Sequence, residues 1–444
     1  MRIKNVSVKN FRLLSSVNEL NIEEDITIII GKNNTGKTSL FEIVELFTSE
    51  KSRSKVSFED FSQNSYKTFK DLCEEYIAMK SNADLTDEDR DDIIKSIIKR
   101  TPSIDLVIEF EYDKSRDRIT FLSEFITDID DARNDACALI TYEPINTINV
   151  YEKFTNIEGD ISFIEYLKKN ISILYSINCY SFDKKNKYRR LIDKGYIYKL
   201  SQIIDIREIR ALRILDDKKD DKNRSLAASF AQYYGDKEQA DNDIEQLNSI
   251  LKTISESFKL QYDRALTKPL ESINKFGATS KLSIPEISIE AEFDAQEAIR
   301  KNIHYYYKKD EGINFPESYN GLGYSNLIYL ILEVMTFIKQ FKKTIIAEDI
   351  SGVKYQNAKA LTIFLEEPEC HMHPQMQQIF IQGIKQLIES ERKNNIDIQL
   401  VITTHSSHII AETAINNKKG FSQLRYFGRN GITYPIPEAT NSAN

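Results

Sequence analysis

The chain has 444 residues, 60 Lys and Arg against 68 Asp and Glu, a net charge of −8 and 41% apolar residues. That is length for two or three domains, or for one large domain with an insertion, and enough apolar material for a sizeable core. No apolar run nears the ~18–20 residues that span a bilayer. The amino terminus lacks a hydrophobic signal core, and Cys73, Cys137, Cys179 and Cys370 stand too far apart for a disulfide framework or a cysteine zinc site. A soluble, cytoplasmic protein without membrane contact is expected.

Residues 3–8 alternate apolar and polar and predict a half-buried strand. Residues 26–30, nearly all β-branched, predict a strand covered on both faces, as in a parallel sheet. They run straight into Gly31, Lys32, Asn33, Asn34, Thr35, Gly36, Lys37, Thr38 and Ser39, and residues 39–46 have helical spacing. Thr86 heads an acidic turn of Asp87, Glu88 and Asp89, Ile93, Ile94, Ile97 and Ile98 form one stripe, and Lys99, Arg100 and Pro102 close the predicted helix. Residues 104–112 predict a long strand, whereas 113–200 are mixed and carry no clear order.

Arg207, Arg210 and Arg213 recur every third residue and predict a row on one helical face, most simply a solvated one. A charge run over 216–222 marks a boundary. Beyond it Ile244, Leu247, Leu251, Ile254 and Phe258 repeat as a helical seam that should end by Pro269. Such a helix would pack on its own domain or serve as a short dimerisation arm. In the last third, 361–365 and 399–403 predict buried strands with a helix over 375–388 between them.

Residues 31–38 fit G-x-x-x-x-G-K-[ST], with the preceding strand and following helix that this loop requires. Gly31 and Gly36 allow backbone angles and approaches that a Cβ would block. Exposed N–H groups at a helix start present positive potential to phosphates. Lys37 adds a charge to the β- and γ-phosphates, and the Thr38 hydroxyl can ligate Mg²⁺. A nucleoside triphosphate is the expected ligand. Strand 361–365 delivers Glu366 and Glu367 to its carboxyl end, where open α/β sheets bind ligands. Glu366 would hold the Mg²⁺ shell and Glu367 would polarise the attacking water as general base. The next strand ends at His405, an imidazole within reach of γ-phosphate or water. His371 and His373 lack a third ligand at a metal-binding spacing.

Together these segments resemble the ABC-type ATPases of the SMC/RecF group, and within it the OLD (overcoming lysogenization defect) family. The resemblance rests on the opening strand through Arg12, the loop of residues 31–39, the segment 365–375 (LEEPECHMHPQ) and residues 402–406 (ITTHS). Residues 319–327 resemble the family's degenerate signature motif, in which Asn320, Gly321, Gly323 and Ser325 would face the γ-phosphate on a partner subunit. Gln63 falls where the family has its glutamine loop and would touch the metal.

The resemblance implies an α/β P-loop NTPase of ABC/SMC-RecF type with a helical insertion. Its parts would be an N-terminal ATPase portion over 1–215, the insertion over 216–276 and a C-terminal ATPase portion over 277–444. It also implies ATP and Mg²⁺ as cofactors, with Lys37, Glu367 and His405 as the catalytic set. The partner would be a second copy in an ATP-bridged homodimer, or a higher oligomer. The effector would be a TOPRIM-type nuclease acting on DNA, as in anti-phage defence. No further Glu and Asp-x-Asp cluster follows His405, so the nuclease centre is expected outside these 444 residues. A nucleotide-gated scaffold without turnover and a RecF-like repair ATPase are the alternative functions.

Overall fold

The computed structural model describes residues 1–32, 35–49, 56–115, 117, 122–127, 133–157, 161–192, 195–210, 306–308, 314–316, 322–348, 354–356, 359–415, 420–428 and 433–435. The chain divides into two units, Met1–Leu212 with Phe337–Asn444, and Arg213–Thr336.

The first unit holds two six-stranded sheets. One is antiparallel, in the order β2 (Asn18–Asn21), β1 (Arg2–Lys9), β4 (Ile104–Glu111), β5 (Asp135–Pro144), β6 (Tyr175–Asp183) and β7 (Tyr188–Ile192). The other runs β16 (Thr433–Pro435), β15 (Leu424–Phe427), β3 (Ile26–Gly31), β14 (Ile398–Thr404), β13 (Ala360–Glu366) and β8 (Ile204–Ile209). Its strands are parallel except β16. Two further antiparallel pairs are β9 (Tyr306–Lys308) with β10 (Asn314–Pro316), in the second unit, and β11 (Ile346–Glu348) with β12 (Lys354–Gln356), in the first. The helices are α1 (Lys37–Thr48), α2 (Gln63–Ser81), α3 (Asp87–Arg100), α4 (Thr147–Thr155), α5 (Phe163–Leu174), α6 (Tyr196–Ile203), α7 (Leu322–Ile345), α8 (Pro374–Lys393) and α9 (Ser407–Ile415).

Burial follows sheet type. β13 and β14 are buried at every position, whereas β4 alternates buried and half-buried residues, the difference between a sheet covered on both faces and one covered on one. The buried residues of α1, among them Phe41, Ile43, Val44 and Phe47, join strands of both sheets in one core. Phe41 packs on Phe364 of β13 with ring centroids 4.6 Å apart, and Tyr196 donates to the Phe47 carbonyl at 3.2 Å. The sheets are also joined by Gln399 of β14. Its amide oxygen accepts from the Ile3 N–H at 2.8 Å, and its nitrogen donates to the Ile3 and Glu23 carbonyls, both at 2.8 Å.

Several sequence expectations hold. The predicted strands appear as β1, β3, β4, β13 and β14, and the helix expected over 375–388 is the longer α8. Thr86 caps α3 in a reciprocal box with Asp89. The segment without clear order, 113–200, supplies β5, β6, β7 and most of α4 to α6.

One expectation is corrected: Arg207 lies on a strand, β8, and not on a helix. Ile204 and Ile209 are buried where β8 pairs with β13, and tertiary pairing overrides the spacing of three. Arg207 bonds Asp205 at 2.7 Å and lies 5.5 Å from the Phe337 ring centroid. Arg210 turns to Glu45 and Glu208. Arg213, the charge run 216–222 and the seam from Ile244 to Phe258 with Pro269 lie outside the described residues. Among the described residues, no helix is long and apolar enough to cross a membrane.

Candidate active site

The site forms at the carboxyl ends of three adjacent parallel strands. Thr403 of β14 pairs with Ile29 of β3 on one side and with Glu366 of β13 on the other, so the three strands finish along one edge. Each strand then delivers one functional segment.

After β3 comes the phosphate loop. A Cβ on Gly31 would sit 2.6 Å from the Phe427 carbonyl oxygen of β15, so the neighbouring strand by itself demands glycine there. Gly36 has φ +102°, and a Cβ on it would meet Leu14 at 2.8 Å. It is required both for its left-handed backbone and for the close approach. Thr35 donates its hydroxyl to the Lys32 carbonyl at 2.9 Å. Lys37 opens α1 and donates from Nζ to the Gly31 and Lys32 carbonyls, each at 2.8 Å. Burial pushes the Lys37 amine below its ordinary pKa, while the carboxylates of Glu367, Glu366 and Glu369 oppose that shift. Thr38 is exposed in the first turn of α1 and Ser39 is buried. Asn33 and Asn34 lie outside the described residues.

After β13 come the two glutamates. Glu366 is the last strand residue and is 6% exposed. Glu367 has φ +40°, a conformation that costs a non-glycine residue ~1–2 kcal/mol. Its N–H donates to the Thr403 carbonyl at 2.9 Å, with the Thr403 hydroxyl at 3.3 Å, which offsets the strain. Simple strand alternation would have separated the two side chains. The left-handed turn instead takes Glu367 out of the pleat and brings its carboxylate within 3.5 Å of His405 Nε2, which follows β14. That spacing is long for a hydrogen bond, and both side chains are 37% exposed, open to a ligand.

Lys37, Glu366 and Glu367 lie close together, and His405 stands beside Glu367. Hard oxygen donors, the Thr38 hydroxyl and the Glu366 carboxylate, suit Mg²⁺. Gln63 is exposed at the start of α2, and the segment before it is tied towards the phosphate loop: Arg12 donates to Asp60 at 2.9 Å and also pairs with Glu42 of α1. Gly323 and Ser325 lie in the first turn of α7, in the second unit, while Asn320 and Gly321 fall outside the described residues. His373 is the N-cap of α8, facing the Gln375 N–H at 3.5 Å, and His371 is exposed at φ +62°.

Sequence reasoning passed over Glu369 and Gln377, whose side chains hold the loop after β14. Their partners lie about thirty positions away, beyond any local periodicity.

The AAA ATPase domain family matches this chain over residues 1–410. Endonuclease GajA of Bacillus cereus (strain HuB5-5) is 27% identical over 448 residues, covering 98% of this chain and 59% of that protein. The chain therefore spans about three-fifths of that relative's length. Among solved structures, the SMC head domain from Thermotoga maritima aligns over 98% of this chain and 99% of that one, with 11% identity and a TM-score of 0.37. An SmcHead bound to the C-winged helix domain of ScpA aligns over 98% and 97%, with 11% identity and a TM-score of 0.39.

Proposed function

The chain belongs to the AAA ATPase domain family, and from that premise we propose that it hydrolyses ATP within an ABC-type, ATP-bridged homodimer. Hydrolysis would govern a DNA-directed nuclease of the TOPRIM kind, on the same polypeptide or a separate subunit, in anti-phage defence in the cytoplasm. The observation that carries the reading is the shared strand edge at which Lys37, Glu366, Glu367 and His405 meet. The nuclease part is supported by the likeness to a protein named an endonuclease, and by nothing in the site itself.

Lys37 already faces two carbonyl oxygens in the loop. It would exchange them for β- and γ-phosphate oxygens as the triphosphate settles on the N–H groups that open α1. Thr38 and Glu366, with Gln63, would hold Mg²⁺, which when bound neutralises charge on the triphosphate. Glu367 would accept a proton from the water that attacks the γ-phosphorus. The bond to the β–γ bridging oxygen breaks, and ADP and phosphate leave. His405, beside Glu367, would hydrogen-bond the γ-phosphate or the water. Asn320, Gly321, Gly323 and Ser325 of the second subunit would close the site, so ATP stabilises the dimer and hydrolysis releases it.

Phosphate release by the purified chain tests the reading, beside Glu367→Gln. Loss of a general base should cost turnover ~100-fold or more while ATP binding persists. A wild-type chain that binds no ATP, or binds it without turnover, would sink the proposal. Nicking of plasmid DNA by the same preparation would place a nuclease centre within these residues.

A further inference from the structure

We propose that Glu369 is the positioning residue for His405, clamping the backbone after β14 so that the imidazole stays beside Glu367. The proposal rests on the hydrolytic reading of this site. The His405 side chain is 37% exposed, so the position of its backbone matters to where the imidazole sits.

That backbone is held from outside its own strand. The turn after β13 folds back through the Cys370 N–H to the Glu367 carbonyl at 3.2 Å and the Met372 N–H to the Glu369 carbonyl at 2.9 Å. This aims the Glu369 carboxylate at the neighbouring strand end, where Oε1 accepts from the His405 N–H at 2.6 Å. A bond that short to a carboxylate is charge-assisted and stronger than a neutral one. Gln377, buried in the first turn of α8, adds a second attachment. Its Nε2 donates to the Met372 carbonyl at 2.9 Å, and its Oε1 accepts from the Ser406 hydroxyl.

The two strand ends are therefore stitched reciprocally: Glu367 donates its N–H to Thr403 and His405 donates its N–H to Glu369. The two strand ends cannot part without breaking these bonds, so the backbones that carry the base and the histidine stay together. Among the described residues, the other oxygen, Oε2, is buried with no hydrogen-bond partner, so one acceptor atom carries the contact. An amide oxygen can supply that acceptor, and glutamine should substitute where alanine cannot. A metal-binding or proton-accepting role for Glu369 would predict that glutamine fails as alanine does, since both roles need the charge.

The test uses the 444-residue chain as wild type, E369A and E369Q, with amide hydrogen exchange read at His405 and steady-state ATP kinetics. E369A should exchange the His405 amide about tenfold faster or more and lose about tenfold in kcat, with KM for ATP within about twofold. E369Q should stay within about threefold of wild type in both readouts. Unchanged His405 exchange in E369A, a kcat loss in E369Q equal to that in E369A, or a loss confined to KM would each overturn the proposal. If E369A does not fold, E369D, a methylene too short for the contact, is read in its place. A wild-type chain without turnover would defeat the hydrolytic reading alone, because exchange at His405 still decides the clamp.

Discussion

Glu208 stands on β8, paired beside Phe364 of the strand that ends in the two site glutamates. Burial pushes its carboxyl up to about 7; Arg210 opposes that shift and Glu45 of α1 adds to it. Its side chain is 12% exposed against 54% for Arg210, so the guanidinium only partly offsets the lost hydration. A carboxyl raised in the folded state holds its proton more tightly there than in the unfolded chain. Its contribution to stability is present below about 4.5 and is lost as pH rises towards about 7. Melting curves across that window should show the loss, and Glu208→Gln should flatten it, gaining on the order of 1–2 kcal/mol above pH 7 after allowance for screening at Arg210. A variant with the wild-type pH slope would mean that Glu208 is not its source. At this scale the sequence is legible where chemistry dictates residue type, as at Lys37, Glu366, Glu367 and His405. It is silent on conformation: nothing local announces φ +40° at Glu367, although that turn brings its carboxylate to His405.

Among elements, β1 and β14 belong to different sheets and are joined by one side chain. Gln399 is 1% exposed and satisfies three backbone groups, the Ile3 N–H and the carbonyls of Ile3 and Glu23. Gln399→Leu keeps the volume and strands all three, at a cost of ~2–4 kcal/mol. The urea midpoint should fall accordingly, and a shift below ~0.5 kcal/mol would show that the junction rests on packing instead. The same scale explains the failure at Arg207. Residues 204–209 have enough Ile for either a helix or a strand, and the choice is made by β13, which supplies the hydrogen bonds. The cap of α3 was readable because Thr86 and Asp89 complete each other within one turn.

For the whole molecule, the dimer proposed above has a direct measure. Glu367→Gln should trap ATP, and light scattering should then report about twice the 51.5 kDa chain mass, reverting on removal of nucleotide. Adding Ser325→Arg should abolish that species if the segment around it meets the partner's phosphate. A monomer under saturating ATP would count against the sandwich.

What the sequence determined by itself was the phosphate loop, the acidic and histidine strand ends and the helices and strands with complete local signals. Each is specified by neighbours within a few positions, where periodicity and capping act. The tertiary structure decided how 135–192 join β1 and β4 as one sheet, that 204–209 form a strand, and that Gln399 and Glu369 are fasteners. Those outcomes depend on partners up to nearly 400 positions apart, brought together only when the two sheets close on one core.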